Sequence, residues 1–251
     1  MSKLIAIMQP TYMPWLGYFS LIDEVDEFVF LDCVQLAGRS WQVRNKIKLD
    51  DKEKMLTIPI DKSIHRDDRM IYNTRFSGGD WKNSHLGTIR MAYGKAPYYK
   101  QIISDIEKIY DGEFKSIGQF NINAISFLCE RMNIDTPLCS ALDIAASGNK
   151  DGLLADICLK LGAKAYLSAQ GSAAYIEKNS PGGEFTKQGI ELYYQNYEHP
   201  VYSQMGEHFI SHIGIYDLLF NVGYTDALKI IRSGRRSPYG YKVFRRDVLG
   251  V

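Results

Sequence analysis

Residues 3–8 form a short β-branched and apolar run suited to a buried strand, and the next six, Gln9-Pro10-Thr11-Tyr12-Met13-Pro14, cannot extend it because its prolines lack the N–H that a sheet ladder needs. The chain has to turn there. From Trp15 to Val25 apolar residues return every three or four positions (Trp15, Phe19, Ile22), the spacing of a helix that begins just past Pro14. Residues 27–31 then read as a second strand, ending at Asp32. Strand, loop, helix and strand within about thirty residues make one βαβ unit, which closes right-handed and sets its loop at the carboxyl ends of the strands. Open α/β sheets bind their ligands at that edge.

The rest of the chain extends the alternation. Residues 33–54 are a polar stretch, followed by a strand at 55–60. Residues 81–133 carry helical periodicity, broken at 94–97 and 111–113, and read as a helical insert. After it come a strand at 136–142, a helix at 152–161, a strand at 165–168, a short helix at 172–178 and a strand at 189–194. Residues 207–221 and 226–232 read as two helices. The expected organisation is therefore an α/β, Rossmann-like, mostly parallel sheet built from residues 1–80 and 134–232, with the insert at 81–133 and a basic, solvated tail at 233–251.

Composition narrows the function classes. With 45% hydrophobic and 24% charged residues, the 251-residue chain has the make-up of a soluble globular protein whose core needs no staples. Thirty Lys and Arg against 29 Asp and Glu leave a net charge of +1, so no field is available to hold double-stranded nucleic acid or a membrane surface. Cysteines 33, 129, 139 and 158 are far apart and form no CxxC pair, which reads as reduced buried thiols and not as a zinc or disulfide framework. No apolar run approaches ~18 residues and the first residues carry no signal-type segment, so a cytoplasmic protein without a membrane span is expected.

Candidate chemistry concentrates at strand-to-helix loops. In residues 9–18 the two prolines stiffen the loop, Gly17 allows close approach, and the amides opening the following helix favour an anion. Trp15 and Tyr18 either line a ligand pocket there or plug the sheet edge. Asp32, at the end of the second strand, should face the same crevice as Gln9 and Thr11, as a general base or as a partner for a sugar hydroxyl. Arg39, Arg44, Asn45 and Lys46 follow in the next loop, where guanidinium groups suit a diphosphate. Ser168-Ala169-Gln170-Gly171-Ser172 forms another strand-to-helix turn, with Ser172 placed to cap the next helix. His208 and His212, four apart on an expected helix, read as a surface or satisfied pair, since the glutamate of a HExxH metalloprotease is absent between them. No metal site is expected. No Ser sits in a hydrolase triad pattern.

Four ordered segments, residues 7–19 (IMQPTYMPWLGYF), 42–47 (QVRNKI), 166–175 (YLSAQGSAAY) and 217–221 (DLLFN), make the chain resemble the WbqC-like family over most of its length. That resemblance implies a bacterial protein of surface-polysaccharide, lipopolysaccharide or O-antigen biosynthesis. Residues 10–22 also resemble the loop and first helix of pantothenate synthetase-type nucleotidyl-transfer folds. There Trp15 and Tyr18 stand at the two histidine positions of the HxGH-type signature and only Gly17 is retained, a departure that speaks against ATP-driven adenylation.

Together these observations lead to an expectation of a transferase or ligase in glycan assembly, forming an amide on an amino sugar with an acyl or aminoacyl donor. ATP is the other cofactor to test. Asp32 and Tyr18 are the catalytic candidates; Gln9, Pro10, Thr11, Tyr12, Trp15, Gly17, Arg44, Asn45, Ser168, Gln170, Gly171 and Ser172 are the binding candidates. The partner would be a small or sugar-linked substrate. Two alternatives stand beside this: a glycosyltransferase-like enzyme, for which no DxD is present, and a non-catalytic carbohydrate or nucleotide-sugar binding module.

Overall fold

The structure is a computed structural model, and it describes residues 2–38, 40–178 and 180–251. Six strands form one sheet: β1 (Leu4–Met8), β2 (Glu27–Phe30), β5 (Leu138–Ser140), β6 (Ala165–Ser168), β7 (Glu191–Tyr197) and β8 (Arg235–Gly240), in the order β5-β2-β1-β6-β7-β8. All pairings are parallel except β7 with β8. In order of appearance the sheet strands therefore run 3-2-1-4-5-6, the order of dinucleotide-binding α/β sheets. This is the expected α/β, Rossmann-like, mostly parallel fold.

Both faces of the sheet are buried, which is why its central strands read as continuous apolar runs. Along β1, Ala6 faces one cluster of core side chains while Ile5 and Ile7 face the other; in β2, Phe28 and Phe30 point to the first and Val29 to the second. The first cluster takes in α1 (Leu16–Asp23), the three insert helices α2 (Trp81–Tyr93), α3 (Tyr99–Asp111) and α4 (Ile117–Arg131), and α8 (Tyr216–Ser233). The second is covered by α5 (Lys150–Lys160), α6 (Ala173–Ile176), α7 (Gly183–Lys187) and α9 (Tyr241–Phe244). No described helix is long and apolar enough to cross a membrane.

Three expectations are corrected. Residues 44–57 form an antiparallel hairpin of β3 (Arg44–Leu49) and β4 (Lys52–Thr57), where a polar loop was expected to precede one strand. Its two-residue turn, Asp50-Asp51, holds φ 51° and 56°, the left-handed pair that closes a tight hairpin without the usual glycine. Residues 207–215 are not helical, so His208 and His212 share no helix face; α8 begins at Tyr216 and kinks at Gly223 (φ 74°), inside the interval where a break between two helices was expected. Finally, the basic stretch after residue 233 is not a free tail. β8 covers β7, Arg232 and Arg235 both bond the half-buried Asp23, and Arg245 pairs with Glu177 at 2.9 Å.

Candidate functional site

The chain leaves β1 for β2 and β5 on one side and returns to β6 on the other, so the topological switch point lies between β1 and β6. Residues 9–15, which follow β1, are fixed there by side chains from distant elements. Asn45 of β3 donates both amide hydrogens to the loop, to the carbonyls of Tyr12 (3.0 Å) and Met13 (2.6 Å), and holds Met13 at a positive φ of 45°. From α4, Asn121 donates to the carbonyls of Pro10 (3.1 Å) and Gln42 (2.8 Å). The Tyr18 hydroxyl donates to the Gln9 carbonyl at 3.1 Å, and Gln42 donates to the Gln9 side chain at 2.6 Å.

Over this loop opens a cavity of about 230 Å³, walled by Met8, Thr11, Trp15, Tyr18, Trp41 and His212. Trp15 lies across Gly17, where a β-carbon would come within 2.3 Å of the indole. Its ring stacks on His212 (5.0 Å between centroids) and His199 (6.1 Å), with the edge contact of Tyr197 at 5.5 Å. Trp41 is 48% exposed at the mouth. The walls thus combine flat faces with few polar groups, the make-up of a small-ligand pocket. Burial pushes the Tyr18 phenol well up, so it stays protonated and acts as a donor.

Of the candidates, Thr11, Trp15 and Tyr18 line this cavity, Gly17 lies under the Trp15 indole, Gln9 is engaged by Tyr18 and Gln42, and the others, apart from Asn45, lie elsewhere. Tyr12 turns into the core, where its hydroxyl meets His85 Nδ1 at 2.8 Å and the Tyr110 hydroxyl. Pro10 is buried under α4. Asn45 borders the cavity, but both its amide hydrogens are engaged by the loop and its Oδ1 accepts the Lys46 amide. Arg44 does not border the cavity; its buried Nε has no partner within the protein. Lys46 pairs with Glu53 at 2.7 Å, and Arg39 lies outside the described residues.

On the β6 side, Ser168 is fully buried with its hydroxyl bonded to the Ala169 carbonyl, and Gln170 donates to the Gln195 carbonyl at 2.8 Å. Gly171 is exposed, and Ser172 does not cap α6 with its side chain, because residues 170–172 close a 3₁₀ turn on the Ala169 carbonyl instead. None of these four borders the 230 Å³ cavity.

Asp32 opens into a different space. It borders a cavity of about 550 Å³ with Tyr72, Lys115, Gln119 and Asn123, over the ends of β2 and β5. The cause is α4, which clamps Pro10 through Asn121 and turns Gln119 and Asn123 toward Asp32. The carboxylate is 4% exposed; Oδ2 accepts from Ser140 at 2.7 Å while Oδ1 is buried without a partner, and burial raises its proton affinity against the pull of the Ser140 bond. That is the state of a carboxylate that takes up a proton more readily than an exposed aspartate does.

His199 and His212 were not singled out by sequence as site residues. The only signal near them, the His208–His212 spacing, pointed to a helix that does not form.

A family model described as the WbqC-like protein family matches residues 9–229. An uncharacterized protein of Mycobacterium tuberculosis (strain ATCC 25618 / H37Rv), Rv1507c, is 30% identical over 223 residues, spanning 88% of this chain and 94% of its own. No solved structure matches. With the family match covering both the crevice loop and the helices around it, the chain belongs to the WbqC-like protein family.

Proposed function

We propose that this chain is a transferase or ligase of bacterial surface-glycan assembly that seats a nucleotide- or sugar-linked substrate at the β1–β6 switch point. The observation that carries the reading is the tryptophan-walled cavity over the loop that follows β1, at the crevice where sheets of this order bind ligands. Indole faces suit sugar and base rings. The specific reaction is amide formation on an amino sugar: the amine attacks the carbonyl carbon of an activated acyl or aminoacyl donor, the C–N bond forms, the donor's leaving group departs, and Asp32 takes the ammonium proton. Asp32 borders the neighbouring cavity over the ends of β2 and β5, one strand from the crevice, so the step requires the acceptor amine to extend from the crevice into that cavity, where the unpartnered Oδ1 and raised proton affinity suit Asp32 to take the proton.

A second reading, a non-catalytic carbohydrate-binding module, is favoured by the absence of any carboxylate among the described residues of the cavity's walls. A thermal-shift panel of ATP, acyl-CoA and nucleotide amino sugars separates the two when run on wild type, Trp15→Ala and Asp32→Asn. A nucleotide amino sugar that stabilises wild type and Asp32→Asn but not Trp15→Ala, with turnover lost in Asp32→Asn although its binding is kept, supports the enzyme. Binding with no turnover in any variant supports the module. Stabilisation that ignores Trp15 removes the crevice from the site.

A further inference from the structure

The segment between β7 and α8 brings two imidazoles to Trp15, His212 on the cavity wall and His199 packed against both Trp15 and His212. His199 and His212 lie 4.8 Å apart, centroid to centroid, and both stack on Trp15. His199 Nδ1 is 2.9 Å from the Pro200 carbonyl, an acceptor only, so this nitrogen carries the hydrogen. Its Nε2 is buried and has no partner within the protein. His212 Nδ1 bonds the Ser211 hydroxyl at 2.9 Å, and the residue is held at a φ of 56° on the cavity wall. A side chain with a β-carbon is kept there at a backbone cost, a condition concentrated at ligand sites.

The described surroundings offer this pair no counter-ion. Its aromatic neighbours are Trp15, Tyr202 and Phe209, with Tyr197 against the far edge of Trp15. The nearby charges are engaged elsewhere: Glu198 with Arg236, Arg235 with Asp23, Lys46 with Glu53, and Asp217 with the hydroxyls of Tyr93 and Tyr202. Among the described residues no carboxylate bonds either imidazole. Burial and the neighbouring His212 both hold His199 below the usual histidine range, so at neutral pH His199 is mostly uncharged. An arriving anion changes that balance by favouring the charged form.

We propose that His199 and His212 form a phosphate-binding pair that takes up a proton when the phosphate group of the ligand enters the crevice. This rests on the crevice being the ligand site and adds the group it selects: a terminal phosphate, as in a phosphate monoester or a diphosphate monoester, whose second ionisation near pH 6 lets it share the proton with the imidazoles. Charge-assisted hydrogen bonds to the imidazolium make binding fall at least about tenfold between pH 6 and pH 8.

The chain has five histidines, few enough for each imidazole to be followed by NMR with ¹³C-labelled histidine. His199→Gln and His212→Gln assign the two signals, and the exposed His65 serves as internal control. Titrated from pH 5 to 8.5 with and without inorganic phosphate, the pair is expected to show two separated transitions, and phosphate should move the upper midpoint up by about one pH unit while His65 stays in place. His212→Gln should abolish the movement of His199. Independent titrations unmoved by phosphate, or a movement equal to that of His65, would overturn the proposal. If a nucleotide sugar stabilises the protein through Trp15 while phosphate leaves both imidazoles unmoved, the crevice reading stands and the phosphate pair fails. If phosphate moves them and no compound of the panel stabilises the protein, the phosphate pair stands and the nucleotide amino sugar fails as the substrate of the crevice.

Discussion

At Gly17 one missing carbon atom decides the shape of the crevice. A β-carbon there would lie 2.3 Å from the Trp15 indole, far inside contact distance, and the rigid ring can yield only by leaving its stack on His212. Gly17→Ala is therefore expected to lower stability by about 1–3 kcal/mol and to weaken the response to any crevice ligand. Melts with and without that ligand check both, and an unchanged melting temperature with an unchanged response would mean that the ring is not fixed where it lies. Sequence identified Gly17 as a point of close approach, correctly, but not what approaches. Asn45 shows the same limit: its residue type suited a ligand contact, and the fold uses it to hold the carbonyls of Tyr12 and Met13, more than thirty positions away. Side-chain bonds of that span leave no periodic trace, so which polar groups remain free for a ligand could not be read from spacing.

Among elements, those with a strong apolar period were legible. β6 is found where it was expected, and the three insert helices break where Gly94 to Pro97 and Asp111 to Glu113 interrupt the pattern. The β3–β4 hairpin was not, because Lys and Glu occupy its outer positions and Asp50-Asp51 stands where Asn-Gly would have announced the turn. The helix expected at 207–221 failed in its first half, where the Gly206 and Gly214 backbones pack against Asp51 and Met13 and the amides of Glu207 and His208 bond the Asp51 carboxylate instead of a helical turn. β8 was hidden by its arginines, which read as solvated and are in fact paired. It also caps the sheet, covering β7, which would otherwise present an open edge. Ending the chain after Gly234 removes β8, the Arg235 contact to Asp23 and the Arg245 contact to Glu177. The shortened protein is expected to self-associate and to melt lower. Size-exclusion chromatography checks this, and a monomeric, equally stable product would show that β8 is dispensable.

For the whole molecule, two buried groups on the same side of the sheet oppose one another as the pH falls. Burial lowers the pKa of His85 to about 4, against the upward pull of the Thr57 carbonyl. Between about 6.5 and 4 the unfolded chain binds a proton that folded His85 refuses, so this group makes stability fall as the pH drops. Asp217 works in the other direction. Burial raises its pKa to about 6, and the hydroxyls of Tyr202 and Tyr93 recover only part of the cost of its charge. From about 4 up to 6 the folded state holds a proton that the unfolded state has lost, so this group makes stability fall as the pH rises. Each contribution is on the order of 2–3 kcal/mol, and across the shared window they largely cancel. Removing one should expose the other. Relative to wild type, Asp217→Asn is expected to lose stability progressively as the pH is lowered from 6 to 4, while His85→Gln gains over the same interval. Urea unfolding of the three proteins at pH 4.5 and pH 7 tests it, since contributions common to all three drop out of the differences. Parallel pH profiles for the variants and wild type would mean that neither group titrates from the state its burial imposes.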